Sequence, residues 1–297
     1  MTVLLQISDP HFGTERPQVV AALERFVHAL QPAVLLLSGD ITQRATAAQF
    51  AAARAFVDRL AVPAVLAIPG NHDIPLFNVP ARLFSPYAHY ARAFGAALEP
   101  QHENDEVLVL TVNTTRWYRH ADGAVSAAQI ERVAQRLQAA RPAQWRIVVV
   151  HQPIAVTREQ DRHNLVHGHE TAARRWAAAG ADMVVGGHIH LPFVLPLRQL
   201  WPDLPRALWA VQAGTAVSSR VRADAGNSVN VFRLGNDLPA ADAGGTAALR
   251  RCVVERWDHD AATQRFERAS VHELRHDKAD ETSAAADVHT PSPAFTA

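Results

Sequence analysis

The chain has 297 residues, 48 % apolar and 20 % charged, so it is long enough to bury a core without disulfide or metal staples. Its 29 basic and 29 acidic side chains cancel, which argues against a general binder of nucleic acid or of anionic membranes. One cysteine, Cys252, against sixteen histidines excludes a disulfide framework and a four-cysteine zinc site, so any metal chemistry here uses nitrogen and oxygen ligands.

In chain order, the apolar run over 3–7 reads as a buried strand. A helix over 16–30 follows, with Pro17 in its first turn and an apolar face that includes Val19, Leu23 and Val27. Next come a strand over 33–37, a helix over 42–60 and a strand over 64–68. Residues 107–112, 147–150 and 183–185 read as further strands. Residues 126–140, with Ser126 as a cap, and 171–179 read as helices. This β-α-β alternation predicts an α/β fold. After about residue 190 the pattern turns β-rich, with strands over 207–213, 228–234, 249–257 and 264–274. Asp258-His259-Asp260 reads as the hairpin loop between the last two, and 235–246 as an exposed loop. Residues 277–297 hold almost no apolar bulk and read as a disordered tail, which leaves one domain over 1–276. The opening residues lack the basic-then-apolar order of a signal peptide, and no apolar run reaches the roughly 20 residues of a membrane helix. The expected setting is therefore cytoplasmic, with no membrane partner.

The ends of the strands carry the chemistry. The first ends in Ser8-Asp9-Pro10-His11, the second in Ser38-Gly39-Asp40, and the third in Pro69-Gly70-Asn71-His72-Asp73. Later strands end in His151-Gln152-Pro153 and in Gly186-Gly187-His188-Ile189-His190. In a parallel sheet the carboxyl ends of the strands share one edge, where ligands bind. Any one of these residues alone reads as a cap or a turn, but five strand ends of metal-ligand type converge on one rim. Side chains one residue apart on an extended segment point the same way, so Asp9 with His11, and His188 with His190, reach the same small region. Asp9, His11, Asp40, Asn71, His151, His188 and His190 are too many for one tetrahedral ion and suit two ions sharing a carboxylate. Carboxylate, imidazole and amide oxygen together suit Zn, Mn, Fe or Co.

The order Asp9-Pro10-His11, Gly39-Asp40, Gly70-Asn71-His72-Asp73, His151, Gly187-His188-Ile189-His190 resembles the calcineurin-like metallophosphoesterases over residues 9–190. The resemblance implies a four-layer α/β/β/α sandwich with two divalent or trivalent transition-metal ions at the strand ends. It also implies hydrolysis of phosphate mono- or diesters by attack of a metal-bridging hydroxide on phosphorus. Asp9, His11 and His190 would bind one ion, Asn71, His151 and His188 the other, with Asp40 between them. His72 would stand beside the phosphate, stabilising it or protonating the leaving oxygen, and Asp73 would support the loop or orient His72.

The compact length and the opening Ile7-Ser8-Asp9-Pro10-His11 look most like the class III cyclic-nucleotide phosphodiesterases. Val150-His151-Gln152-Pro153 departs from the His-His-Pro-Pro run that group often shows. The implied substrate is a small phosphodiester such as a cyclic nucleotide, with nucleic acid entering only as substrate. A nuclease or phosphomonoesterase on the same site, or a non-catalytic scaffold of the same fold, is the alternative. Intact ligand positions and an intact His72 favour an enzyme. Arg162, His163, His167 and His169, in the segment 160–170, are candidate substrate contacts, as are Arg220 and Arg222. Trp117, Tyr118 and Arg119 are candidates for stacking on a base, against the commoner use of such aromatics in a core. Oligomeric state is not legible in the sequence.

Overall fold

Strands covered on both faces need apolar residues pointing both ways, and the unbroken apolar runs of this chain form the centres of two such sheets. The computed structural model describes residues 1–236 and 250–275; the expected tail and most of the expected loop over 235–246 lie outside them. In chain order the elements are β1 (Thr2–Ile7), α1 (Pro17–Leu30), β2 (Val34–Ser38), α2 (Ala47–Leu60), β3 (Ala64–Ile68), α3 (Val79–Phe84), α4 (Ala88–Phe94) and β4 (Gln101–Glu103). Next come β5 (Val107–Thr111), α5 (Ala127–Gln138), β6 (Trp145–Val149), α6 (His169–Ala178), β7 (Met183–Gly186) and β8 (Phe193–Pro196). The last are β9 (Trp209–Gln212), β10 (Ser228–Asn236), β11 (Arg250–Asp260) and β12 (Arg265–Arg275).

The first sheet has the order β12-β11-β10-β1-β2-β3, with β1, β2 and β3 parallel and β10 antiparallel to β1. The second has the order β4-β5-β6-β7-β9-β8, parallel except at its two edge strands. Adjacent residues of a strand face opposite ways. Leu5 and Leu35 therefore pack outward on α1 and α2, through Leu23, Phe50 and Phe56. Leu4 and Leu36 point inward to Val109, Ile147 and Val185 of the second sheet. The outer face of that sheet, with Leu108, Leu110 and Val148, packs on Ile130 and Val133 of α5 and Trp176 of α6. The layers are thus α/β/β/α, as expected.

Several boundaries differ from the expectation. The helix expected from residue 42 starts at Ala47, because Thr42 gives its N–H and hydroxyl to the Asp73 carboxylate (2.8 and 2.9 Å) and Thr46 caps the helix through Gln49 N–H. Asp258-His259-Asp260 belongs to β11 rather than to a loop, pairing with Glu267, Phe266 and Arg265 of β12. The turn falls after Asp260, whose carboxylate accepts the N–H groups of Ala262 and Thr263 (2.7 Å each). Helices α3 and α4, with 6 and 7 residues, are too short to show a helical period, and Pro80 sits in the first turn of α3. Among the described residues no helix is long and apolar enough to cross a membrane.

Candidate metal centre

The five predicted strand ends meet at one rim. Asp9 and His11 follow β1, Asp40 follows β2, Asn71 and His72 follow β3, His151 follows β6, and His188 and His190 follow β7. Their nearness has a different backbone cause from the one expected. Asp9, His11, Asp40, His188 and His190 all have positive φ, between 43° and 74°. The segments are tight reversals and not extended, so period-two alternation does not explain why Asp9 and His11 point together. Five L-residues in the left-handed region are a local strain that the surrounding contacts must offset. Two glycines make the reversals fit: Gly39 has φ +95°, and a side chain at Gly187 would collide with Ser8 Oγ and the Asp9 carboxylate.

Two buried clusters result. Asp9, His11 and His190 form one, and Asp40, His151 and His188 the other, with ligand atoms inside each cluster within 4.8 Å of one another. Asp40 spans both: Oδ1 lies 3.2 Å from His151 Nε2, and Oδ2 lies 3.7 Å from His11 Nε2. The carboxamide oxygen of Asn71 stands 3.3 Å from His151 Nε2. His72 also falls within reach of His11 and Asp40.

The surroundings fix these groups. His151 Nδ1 donates to the Ser38 carbonyl (2.9 Å) and His190 Nδ1 to the Arg220 carbonyl (2.6 Å). A carbonyl only accepts, so each Nδ1 carries a proton and each Nε2 is aimed inward, the arrangement that orients metal-ligating imidazoles. The Asp9 carboxylate accepts from Ser8 Oγ (2.5 Å) and from the His188 N–H (3.2 and 3.0 Å). His188 Nδ1 is buried and makes no hydrogen bond among the described residues. An orphaned buried nitrogen beside two carboxylates and inward-facing imidazoles suits a metal pair, so the donor set fits the group the family resemblance implies.

Protonation tells the same story. Burial would raise Asp9, but His190 and His151 override it and hold it at about 2. Burial would likewise raise Asp40, yet His151, His72 and His11 keep it well below the usual carboxylate range. Burial pushes His11 down to about 3, and burial with the neighbouring His151 pushes His188 down to about 4. Burial would depress His151 too, but the Asp40 and Asp9 carboxylates outweigh it and raise that imidazole to about 9. Burial works against His190 as well, and Asp9 raises it. Protons on His151 and His190 thus balance two carboxylates where cations would. Metal uptake is expected to expel protons, so apparent affinity should climb as the pH rises toward 9. Calorimetry in buffers of different ionisation enthalpy measures this, and pH-independent uptake without proton release would contradict it.

Asp73 takes no part in the clusters. Its buried carboxylate accepts from the N–H groups of Ile41, Thr42 and Gly70 (2.8–2.9 Å), a strut that holds the Asp40 loop to the Asn71 turn. Burial and the nearby Asp40 charge raise it to about 7. Of the expected substrate contacts, Arg220 alone is placed among the clusters. Its Nη1 lies 3.0 Å from His72 Nε2, 3.1 Å from Gln43 Oε1 and 3.4 Å from His11 Nδ1. Arg222 instead bonds Asp161 (3.0 Å) and the Ile189 carbonyl (3.2 Å), tying down the turn between His188 and His190. His167 pairs with Arg119 (3.0 Å), His163 is exposed, and Arg162 and His169 line a separate cavity of about 340 Å³ with Trp201. Trp117 and Tyr118 are 44 % and 61 % exposed, so they are not core residues. Sequence reasoning missed Gln43, whose carbonyl accepts from His72 Nδ1 (3.0 Å), and Thr215, whose hydroxyl holds the Asp9 carbonyl (2.6 Å). Gln43 follows the Gly39-Asp40 block closely enough to have drawn notice; Thr215 lies too far along the chain to give a signal.

The family model for calcineurin-like phosphoesterase matches residues 2–192. The fold is similar to a dimetal phosphatase from Danio rerio, with a TM-score of 0.64 and 12 % identity over 93 % of this chain and 99 % of that one. It is also similar to a purple acid phosphatase from yellow lupin, with a TM-score of 0.65 and 12 % identity over 100 % of this chain and 57 % of the lupin protein. No curated protein matches the chain by sequence.

Proposed function

The chain belongs to the calcineurin-like phosphoesterase family, and from that premise we propose that it hydrolyses small phosphodiesters, cyclic nucleotides among them, at a two-metal centre. One observation carries the reading: the Asp40 carboxylate offers one oxygen to each of two buried Asp/His clusters. In this reading Asp9, His11 and His190 hold one ion, Asn71, His151 and His188 the other, and Asp40 joins them. When bound, such a pair polarises phosphoryl oxygens and lowers the pKa of water at the centre, as Mn, Fe, Zn or Co can.

The chain's own residues supply the rest. Arg220 presents its guanidinium beside both clusters and is suited to pair with a phosphate oxygen. Among the described residues it is the one guanidinium bonded to His72 or His11. His72 is fixed by Gln43 at Nδ1, which leaves the Nε2 lone pair facing Arg220; once the phosphate draws the guanidinium away, Nε2 can take up a proton from water at the site and pass it to the leaving oxygen. A cytoplasmic setting belongs to the same reading; the one thiol, Cys252, is buried and free.

The test is a substrate panel with the full chain. Metal-stripped protein should be inactive, and Mn should restore hydrolysis of bis-p-nitrophenyl phosphate. Cyclic AMP, cyclic GMP, 2′,3′-cyclic nucleotides, single-stranded DNA and monoesters then rank the substrates. Turnover confined to monoesters would overturn the diester reading, and activity that survives chelation would overturn the metal centre.

A further inference from the structure

The zero net charge hides a local imbalance beside the site. Nine large apolar side chains are exposed among the described residues, and six of them, Phe77, Val79, Leu83, Phe84, Trp117 and Tyr118, fall in two segments. These segments are stitched together: Arg82 donates to the Arg119 carbonyl (2.5 Å), and the Tyr87 hydroxyl bonds Thr115 Oγ1 (2.7 Å). The first of them follows closely on the Asn71–Asp73 turn. The Phe77 ring lies 5.4 Å from the Arg44 guanidinium, and Arg44 follows Gln43, which holds His72.

The chemistry of this rim is apolar and cationic. No acidic residue occurs between Asp73 and Glu99, or between Glu106 and Asp122. Arg119 pairs with Asp122 (3.5 Å), but Arg44, Arg82 and Arg116 meet no carboxylate among the described residues: Arg44 stacks on Phe77, and Arg82 and Arg116 bond carbonyls and Gln129. Phe77 and Phe84 are 79 % and 86 % exposed, so they project and have no facing wall. A small-molecule pocket needs concave walls that enclose its ligand. Projecting phenylalanines with Trp and Tyr beside them, ringed by arginine, match a bilayer interface, where aromatic rings sit at headgroup level and cations meet anionic lipid. A patch this apolar on an otherwise charged surface marks a contact with another phase or molecule.

The geometry points to this rim as a docking surface for an anionic lipid bilayer, which sets the metal clusters over phosphoesters carried by that surface. The substrate class that follows, a lipid-borne phosphodiester, rests on the phosphoesterase reading; the docking does not.

Sedimentation of the full chain with vesicles tests it. The protein should pellet with equimolar phosphatidylglycerol and phosphatidylcholine, with or without chelator, and about tenfold less with phosphatidylcholine alone. Salt raised to about 0.5 M should weaken the anionic preference. Leu83→Ser/Phe84→Ser should lower partition by about tenfold and leave hydrolysis of soluble bis-p-nitrophenyl phosphate unchanged. If that variant misfolds, Phe84→Asp alone should show the same loss. No pelleting with anionic vesicles, or equal pelleting of a folded variant, overturns the proposal. So does a dimer that the variant dissociates, since a second copy then covers this face. If docking holds but no diester is hydrolysed, the diester reading fails and the docking surface stands.

Discussion

Asp40→Asn is expected to cost at least about 10³-fold in kcat, equivalent to about 4 kcal/mol of barrier. The carboxylate is the one group that reaches both clusters, with Oδ1 toward His151 and Oδ2 toward His11. Asparagine keeps the size and one acceptor oxygen, so the His72 N–H, 2.8 Å from Oδ1, retains its partner. What is lost is the charge and the second oxygen. His151 then loses the carboxylate that chiefly holds its proton, and its pKa should fall toward the ordinary imidazole range. The fold should survive, because Asp73 separately ties Ile41 and Thr42 to Gly70. Metal analysis with parallel kinetics gives the readout: fewer than two ions bound, a folded chain, and turnover near background. Full turnover in this variant would sink the two-ion reading.

The legible part of this molecule was local and the illegible part was long-range. Apolar runs ending in Asp9, Asp40, Asn71, His151 and His188 mark strands whose ends share an edge, because burial on both faces demands such runs and parallel strands align their termini. The inverted backbone at Asp9, His11, Asp40, His188 and His190 could not be read the same way. It depends on contacts such as Ser8 against Gly187 and Thr215 against the Asp9 carbonyl, which no local pattern encodes. The same limit separates Arg220 from Arg222. Both are basic, two residues apart on one segment, yet one faces His72 and the other Asp161, according to how the loop folds back on His190. Trp117 and Tyr118, whose commoner use would be in a core, stand exposed instead, which depends on how their loop packs.

His72→Ala should lower kcat by roughly 10²- to 10⁴-fold while leaving the metal content intact. The two halves of that expectation rest on different atoms. His72 supports the clusters through its backbone, whose N–H donates to Asp40 Oδ1, and alanine keeps that bond. Its ring adds to the field that keeps Asp40 ionised but makes no hydrogen bond to it; it spans from the Gln43 carbonyl to Arg220 and packs edge-on against His11 at 4.9 Å. Removing it deletes a proton carrier and leaves the donor set whole. Arg220→Ala makes the contrast. The guanidinium is assigned to holding phosphate in the ground state and the transition state alike, so its loss should appear mainly as a higher KM, by about tenfold or more for a charged hydrogen bond. The Arg220 carbonyl still orients His190 in that variant, so metal binding should again be retained. Substrates with a better leaving group need less protonation. A p-nitrophenyl ester should therefore suffer less from His72→Ala than an alkyl ester does, and Arg220→Ala should slow both equally. If His72→Ala lost its metal, or slowed both esters alike, the ring would be a ligand or a prop and not a proton donor.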